Sequence, residues 1–437
     1  MAIAPEQRVF LNSDWVAANL TFLSEILISV TSHLKSVYAA VFDVKKDFET
    51  VQHAPLLNIS SWVNMSFPYL AFADDLVLVA SSHAGLQSNL DNLVRGLTIA
   101  GLVICPEKSH SISFVSVGKT RKIKVLTETT FKLGYKYLTP LEVTECWKYL
   151  GISFTARGVK TFRKKIEELL RRISEAPLKT FQRMDILWIF LLPSGIYQLL
   201  FARVGIAILK ALDILVRAAV RRWLKLLRDV AVGFFTAPPS ASGLGIPSFL
   251  RSIPIWILAY LRNEFELEYP PAHSLVDCPY FSRRVEWAER EAVVDGHFLG
   301  STLKVKNFWK AKLLGTVDGR DLETFKGSKL STTWIVPDVR MIPVRDYVSY
   351  LQIVSNSLPT RLRTSHGSRA DRVLPKCRVG CNEVESAYHI SQQCVRTHET
   401  RTVRDNKITQ VVADRYLKRL ECKERTAQPN ICRTEEA

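Results

Sequence analysis

The stretch from Tyr69 to Ala80 reads YLAFADDLVLVA and places two adjacent acids between two short apolar runs. Each run has the length and composition of a buried strand, and the joint between them suits a tight hairpin. We therefore expect Asp74 and Asp75 at a hairpin tip. Like charges this close oppose joint ionisation unless a cation binds them, and oxygen ligands suit Mg²⁺ or Mn²⁺. An ordinary Asp-Asp turn is the alternative reading.

Composition excludes wholesale disorder and indicates a polyanionic partner. The chain has 437 residues, 47% of them hydrophobic, enough for about two or three domains with buried cores. Its formal net charge of +17 is typical of proteins that contact nucleic acid or an anionic membrane surface. The longest apolar run, 186–202, contains Pro193 and is shorter than the ~20 residues of a membrane span, which favours a buried helix pair and no membrane partner.

A third acid lies near the end of an earlier predicted strand. The strand covers 37–44 and includes Asp43. If it neighbours the hairpin in a sheet, Asp43 faces Asp74 and Asp75. Three carboxylates can hold two Mg²⁺ ions about 3.5–4 Å apart, the spacing used for in-line phosphoryl transfer. A strand-end Asp alone is usually a solvated cap, so this inference depends on the hairpin.

The stretches VFDVKKDFETV and FADD resemble the first acidic motif and the catalytic hairpin of the reverse transcriptases of non-LTR retrotransposons. The resemblance implies that Asp43, Asp74 and Asp75 are catalytic and bind Mg²⁺ or Mn²⁺. It places Phe48 beneath the sugar of the incoming nucleotide. In GLVICPEKS, which is similar to the next motif of the family, it places Lys108 near the nucleotide phosphates. A surface lysine in a loop is the alternative for Lys108.

Two later regions extend the resemblance. The stretch CWKYLGISFTARG, residues 146–158, is similar to the primer-grip hairpin, with Gly151 at its turn. A predicted helix over 206–229 then carries basic residues at steps of three, four and seven, opposed only by Asp213 and Asp229. This balance favours phosphate contacts, which give affinity without sequence choice, over a charge-balanced solvated face. The predicted nucleic-acid-binding residues are Lys210, Arg217, Arg221, Lys225 and Arg228.

Four soft ligands lie within eighteen residues near the end of the chain. Cys377, Cys381, His389 and Cys394 have the spacing C-x3-C-x7-H-x4-C, which suits a tetrahedral structural Zn²⁺ site. His398 is a rival fourth ligand. The spacing resembles the CCHC zinc knuckle of elements that carry a restriction-like endonuclease, including those that insert into ribosomal DNA.

The motifs occur in the family's order, so the chain is identified as a member of the reverse transcriptase polyproteins of site-specific non-LTR retrotransposons. The implied fold class is α+β. Its parts are a partial polymerase palm with a small antiparallel sheet and helices (1–158), a helical thumb (159–250), a helical linker (251–370), a CCHC zinc knuckle (371–400) and a polar tail (401–437). The implied activity is RNA-directed DNA polymerisation in target-primed reverse transcription, in the nucleus. The implied partners are an RNA template, a DNA primer or target and deoxynucleotides, with no protein partner.

One departure from the family concerns activity. About thirty residues separate Asp43 from Asp74, and 52–68 contain no glycine. The family has a longer segment there, including a Gly-rich, Gln-containing motif beneath the nucleotide site, and basic fingers before it. We therefore expect a truncated, internally deleted copy with defective polymerase activity, since positioning accounts for most of phosphoryl-transfer catalysis. The alternative is a non-catalytic nucleic-acid-binding remnant that uses the thumb stripe and the knuckle.

Overall fold

The computed structural model describes residues 15–45, 69–72, 75–99, 102–117, 122–156, 158–160, 163–266, 279–325, 335, 343–365 and 375–426. Phe48, Asp74 and the 52–68 segment lie outside these residues. The described chain mixes helices with a small sheet, as predicted. The strands are β1 (Val37–Lys45), β2 (Tyr69–Phe72), β3 (Asp75–Ala80), β4 (Val103–Ile104), β5 (His110–Val117), β6 (Lys122–Val125), β7 (Lys132–Leu133), β8 (Lys136–Tyr137), β9 (Thr139–Pro140), β10 (Trp147–Tyr149), β11 (Ile152–Thr155), β12 (Gly158–Val159), β13 (Val293–Val294) and β14 (His297–Phe298).

The helices occupy most of the rest of the described chain. They are α1 (Trp15–His33), α2 (His83–Ile99), α3 (Arg163–Glu175), α4 (Thr180–Ile186), α5 (Leu192–Phe201), α6 (Ile206–Trp223), α7 (Val232–Thr236), α8 (Phe249–Glu266), α9 (Pro279–Ala292), α10 (Thr302–Leu314), α11 (Val344–Val354), α12 (Arg361–Thr364) and α13 (His398–Thr426).

Among the described residues, seven strands form one sheet with the order β2-β3-β1-β5-β6. All neighbours along this path are antiparallel. In addition, β4 pairs with the end of β1, and β9 runs parallel to β5. The strand that carries Asp43 therefore lies directly beside the hairpin that carries Asp75.

The two central strands bury both of their faces because alternate side chains point to opposite sides of a sheet. One set packs against α2 and consists of Ala40, Phe42, Leu76 and Leu78. The other set packs against α1 and the β10–β11 hairpin and consists of Ala39, Val41, Val77 and Val79. Near-continuous apolar runs in β1 and β3 follow from this double burial.

The helical region shares one core. A single buried cluster contains side chains from Ile166 through Leu351 and so draws on both the range predicted as thumb and the range predicted as linker. The division at residue 250 stays a prediction.

The apolar run within this core forms one continuous stretch. The sequence favoured a helix pair there, but α4 continues through a π-helical turn, Leu187–Leu191, into α5. Pro193 lies two residues after the end of this turn, and its ring and missing N–H disturb the regular bonding of a helix. By length and composition alone Thr180–Phe201 could cross a membrane, yet Leu187, Leu191 and Leu199 lie in the buried cluster, which is the packing of a core helix.

Candidate metal and nucleic-acid sites

The sheet brings two of the three predicted catalytic acids together. In the antiparallel register of β1 and β3, Asp43 is opposite Asp75, and Phe72 of β2 is opposite Asp75 on the other side. Residues directly opposite on neighbouring antiparallel strands have Cβ atoms about 4.5–5.5 Å apart. The register therefore gives the Asp43 and Asp75 positions the spacing that a shared metal site requires. Asp74 adjoins Asp75 in sequence but lies outside the described residues.

Asp75 also supports the neighbouring hairpin. The backbone N–H of Leu150 donates to its carboxylate, with 3.3 Å between N and Oδ2. Leu150 and Gly151 form the turn of β10–β11 with φ values of +48° and +78°. A β-hairpin turn with both central φ values positive usually has Asn or Gly at the first of them, so Leu150 is unusual there. Tyr197 Oη, 3.1 Å away, donates to the carbonyl of Leu150. These two bonds hold both polar groups of the strained residue.

The hairpin predicted as primer grip is built as the sequence suggests. Trp147 and Tyr149 are buried, and the Trp147 and Phe154 rings stack with centroids 5.8 Å apart. Gly151 is at the turn, as predicted. The aromatic side chains of β10 and β11 therefore belong to the core beneath the sheet and do not offer a stacking surface.

Lys108 lies on a short 3₁₀ turn, Pro106–Lys108, and its side chain is exposed. The turn follows β4, whose residues Val103 and Ile104 pair with Lys45 and Val44 of β1. The segment that carries Lys108 thus begins beside the strand end just after Asp43. This placement is consistent with a role near the same site, and the role itself stays a prediction.

The four predicted zinc ligands come together. Their ligand atoms all lie within 4.8 Å of one another. The Sγ atom of Cys394 is 3.8 Å from that of Cys377 and 3.9 Å from that of Cys381. Zn–S bonds of about 2.3 Å at tetrahedral angles place two sulfurs about 3.8 Å apart. Neither ring nitrogen of buried His389 has a hydrogen-bond partner among the described residues, so one of them is available to bind a metal ion.

His398, the rival fourth ligand, is outside this cluster. It is exposed at the start of α13. The structure therefore selects His389.

Glu385 connects the Cys/His cluster to the helical region. It is 2% exposed and accepts hydrogen bonds from the backbone N–H groups of Arg361 and Arg378, each at 2.9 Å. The Arg378 guanidinium is 3.0 Å from the carboxylate. Burial by itself raises the pKa of Glu385, but these bonds and charges lower it below its ordinary value. An ionised carboxylate thus fixes the start of α12 to the knuckle.

The basic stripe is only partly helical. We predicted a helix over 206–229, but α6 ends at Trp223, so this prediction was wrong at Lys225 and Arg228. Lys225 has φ +52°, and Leu226 N–H bonds to the Arg221 carbonyl at 2.9 Å while Lys225 N–H bonds to the Arg222 carbonyl at 3.3 Å. These are the bonds of a Schellman cap, which ends a helix.

The charged members of the stripe also differ in their surroundings. The Arg221 guanidinium lies 5.1 Å from the Phe235 ring centroid, and its Nε donates to the Leu227 carbonyl. Arg221 therefore packs within the fold, whereas Lys210, Lys225 and Arg228 are exposed. Phosphate contact by the stripe stays a prediction.

Sequence reasoning missed the role of Asp213, which it counted as an acid opposing the stripe. Asp213 is buried and accepts hydrogen bonds from Ser248 Oγ at 2.6 Å and Phe249 N at 2.7 Å. It therefore caps the start of α8 from a distant helix. Burial raises its pKa above the ordinary value. Nothing in the local sequence of α6 indicates this partner, because the two residues are 36 positions apart.

Three known proteins resemble this chain along most of its length, although no family model matches it. The "Retrovirus-related Pol polyprotein from type-1 retrotransposable element R2" of Nasonia vitripennis is 32% identical over 476 residues, covering 93% of this chain and 45% of the relative. The corresponding polyprotein from the type-2 element R2DM of Drosophila melanogaster is 30% identical over 473 residues, covering 92% and 44%. The type-1 R2 polyprotein of Bradysia coprophila is 30% identical over 345 residues, covering 79% and 40%.

The chain belongs to the R2 retrotransposon Pol polyproteins. The resemblance to non-LTR reverse transcriptases is thereby confirmed. The chain spans less than half the length of these R2 relatives.

The alignments with the R2 proteins also differ in their gaps. The first takes in 93% of 437 residues, about 406, over 476 aligned residues, which leaves about 70 positions occupied by the relative alone. The third takes in 79%, about 345 residues, over 345 aligned residues, and has almost no such net gap. The net gap therefore differs between these two relatives.

Proposed function

We propose that this chain is a nucleic-acid-binding part of an R2 reverse transcriptase whose palm keeps the acids for two-metal nucleotidyl transfer but no longer polymerises efficiently. In the intact activity, an RNA template directs DNA synthesis from the end of a nicked DNA target. The observation that carries the proposal is the register that pairs Asp43 with Asp75 beside the strand end leading to Lys108.

Asp43, Asp74 and Asp75 would hold the divalent metal ions. When bound, such ions supply activation of the primer 3′-hydroxyl and stabilisation of the leaving pyrophosphate. Lys108 would contact the nucleotide phosphates, and Phe48 would lie beneath the sugar. The protein's own contribution is to fix the carboxylates at adjacent strand positions and to support Asp75 through Leu150.

The defect in polymerisation is inferred from the short interval between Asp43 and Asp74. In its alignment with this chain, the Nasonia vitripennis relative has about 70 residues without a counterpart, and this number supports an internal deletion without locating it. A nucleotide that is not positioned loses much of the rate enhancement, because effective molarity depends on orientation.

Primer extension on an RNA template with Mg²⁺, using the full chain, tests the catalytic part. We expect product at background level in the wild-type chain and in Asp75→Asn. This substitution retains an oxygen that can accept from Leu150 N–H and removes the charge. The proposed defect would be contradicted if the wild type extends the primer, Asp75→Asn abolishes this extension, and the exposed control Asp346→Asn leaves it intact.

Retention of the metal site is measured separately, by Mn²⁺ binding in electron paramagnetic resonance. Asp75→Asn should weaken Mn²⁺ binding at least about tenfold relative to Asp346→Asn, by analogy with loss of a ligand-supporting group. Equal Mn²⁺ binding in both variants would refute a metal site at the paired acids.

A salt titration tests the binding part of the proposal. If the exposed cations contact Z phosphates, log K falls with log salt at a slope of about −0.9Z on duplex DNA. Lys210→Ala should make this slope shallower by about one unit, whereas Lys304→Ala, which removes an exposed lysine of α10, should not. A slope near zero for the wild-type chain would refute electrostatic binding.

A further inference from the structure

A short hairpin beside the sheet holds two aromatic rings in solvent. β7 and β8 are joined by Gly134 and Tyr135, and Gly134 has φ +60°, as the first central residue of a type II′ turn requires. The relative exposure of Tyr135 is 107%, and that of Tyr137 is 58%. Neither ring belongs to a buried cluster of the described residues. The two rings therefore add nothing to the buried core that supports this hairpin.

The hairpin is nevertheless firmly attached to the fold. Phe131, Leu133 and Leu138 are buried in the cluster between the sheet and α2. The Gln87 side chain accepts from Lys132 N at 2.9 Å and donates to the Lys132 carbonyl at 3.0 Å. The His83 ring stacks on Phe131 with centroids 4.5 Å apart. A ligand of the exposed rings thus meets an ordered surface, which lowers the entropy lost on binding.

Positive charge accompanies the rings and ties them to the Lys108 turn. Lys132 Nζ lies 5.9 Å from the Tyr137 ring centroid. Lys136 Nζ lies 2.8 Å from the carboxylate of Glu107, the residue before Lys108. The hairpin tip therefore adjoins the turn that carries the predicted phosphate-binding lysine. Exposed aromatic rings interspersed with lysines suit bases and phosphates, whereas an apolar protein partner would favour an uncharged surface.

We propose that the β7–β8 tip binds an unpaired strand of nucleic acid, with the Tyr135 ring stacked on a base and Lys132 beside a phosphate. This proposal deepens the proposed function, since it names a contact for the same nucleic-acid partner. Stacking on an aromatic side chain tolerates any base, because every base has a π-face. The contact would hold a strand entering or leaving the palm without reading its sequence.

The test uses the full chain and a single-stranded oligonucleotide that contains 2-aminopurine, without deoxynucleotides. Binding of the wild type should quench the 2-aminopurine fluorescence. Tyr135→Ala should weaken binding by roughly 5- to 100-fold and abolish the quenching. Tyr135→Phe should bind as the wild type does, because it keeps the ring, and Tyr135→Leu should behave like Tyr135→Ala. Tyr416→Ala, which removes a 65% exposed tyrosine of α13, is the matched control and should have no effect.

The salt dependence separates the two contacts. Tyr135→Ala should leave the slope of log K against log salt unchanged. Lys132→Ala should make this slope shallower by about 0.7, the contribution of one phosphate contact on a single strand. Salt-dependent binding that Tyr135→Ala does not weaken would overturn this inference and leave the proposed function standing. Full affinity in Tyr135→Leu would indicate an apolar contact and also overturn it. A wild-type chain that binds no oligonucleotide would contradict both proposals.

Discussion

Removing zinc is expected to unfold the knuckle while leaving the helical core folded. Within the described residues 375–397, the buried side chains are Cys377, Glu385, His389 and Cys394. None of them is a large aliphatic or aromatic group, so apolar burial contributes little to this segment. We therefore predict that metal binding supplies most of the free energy that orders it. Structural zinc sites in small domains supply about 10–16 kcal/mol, equivalent to a Kd between roughly 5 × 10⁻⁸ and 2 × 10⁻¹² M at neutral pH.

The perturbation is a zinc chelator added to the full chain, and the assay is amide hydrogen exchange read by mass spectrometry. Without metal, the His389 ring nitrogen that would bind zinc stays buried and unpaired, which costs about 1–3 kcal/mol. We expect residues 375–397 to lose their protection, because without metal the segment buries no large apolar side chain and keeps only polar contacts such as those of Glu385. Peptides from α6 and α8, in the large buried cluster, should exchange as before.

Cobalt substitution identifies the ligands. Co²⁺ added to the apo chain should give the intense visible bands of tetrahedral thiolate coordination, and His389→Gln should alter these bands and weaken binding. His398→Gln is the matched control, since His398 is exposed and outside the cluster. Unchanged exchange protection of 375–397 after chelation would refute the reasoning, and so would a loss of cobalt binding in His398→Gln alone.

Four further substitutions, at three positions, test the helical region by thermal unfolding. Asp213→Ala should lower stability by about 2–3 kcal/mol, because it removes the cap of α8 and leaves Ser248 and Phe249 N–H without their acceptor. Burial raises the pKa of Asp213, so the folded chain binds one more proton than the unfolded chain at pH values between the two pKa values. The wild type should therefore lose stability relative to Asp213→Asn as the pH rises through that range. Lys225→Gly should raise stability by about 0.5–1 kcal/mol, because its φ of +52° favours glycine, and it should also make the salt slope shallower if Lys225 contacts phosphate. Arg363→Ala should lower stability by about 3 kcal/mol, because it leaves Asp318, now 2.6 Å from the guanidinium and mostly buried, without its cation; equal unfolding midpoints for Arg363→Ala and the wild type would contradict this.

The sequence predicted the parts of the fold that depend on local pattern. The apolar runs of β1 and β3 and the acids near their ends led to the expectation that Asp43 faces the hairpin, and the register places it opposite Asp75. The cysteine and histidine spacing was sufficient to predict the knuckle, because four ligands of one ion must lie together.

The failures came from interactions between distant segments. The periodicity of basic residues continues past Trp223, but the chain turns there, because Leu226 is buried and Gln352 of α11 donates to the Lys225 carbonyl. Arg363 lies in a short basic stretch, 361–363, yet it pairs with Asp318 and lies 3.3 Å from Asp229. A single sequence shows charges without showing their partners, so such arginines cannot be assigned from pattern alone.

The same limitation bears on the paired acids themselves. Asp75 accepts a hydrogen bond from a left-handed Leu150, which gives this chain a folding reason to have an acceptor at that position, independent of any metal. The presence of the acid therefore does not by itself indicate catalysis. Metal-dependent catalysis requires a negative charge at position 75, whereas the hydrogen bond to Leu150 requires only an oxygen that accepts it. A chain in which Asp75→Asn folds normally but loses Mn²⁺ has kept a metal site, whereas a chain in which Asp75→Asn changes neither property has kept only the support of a hairpin.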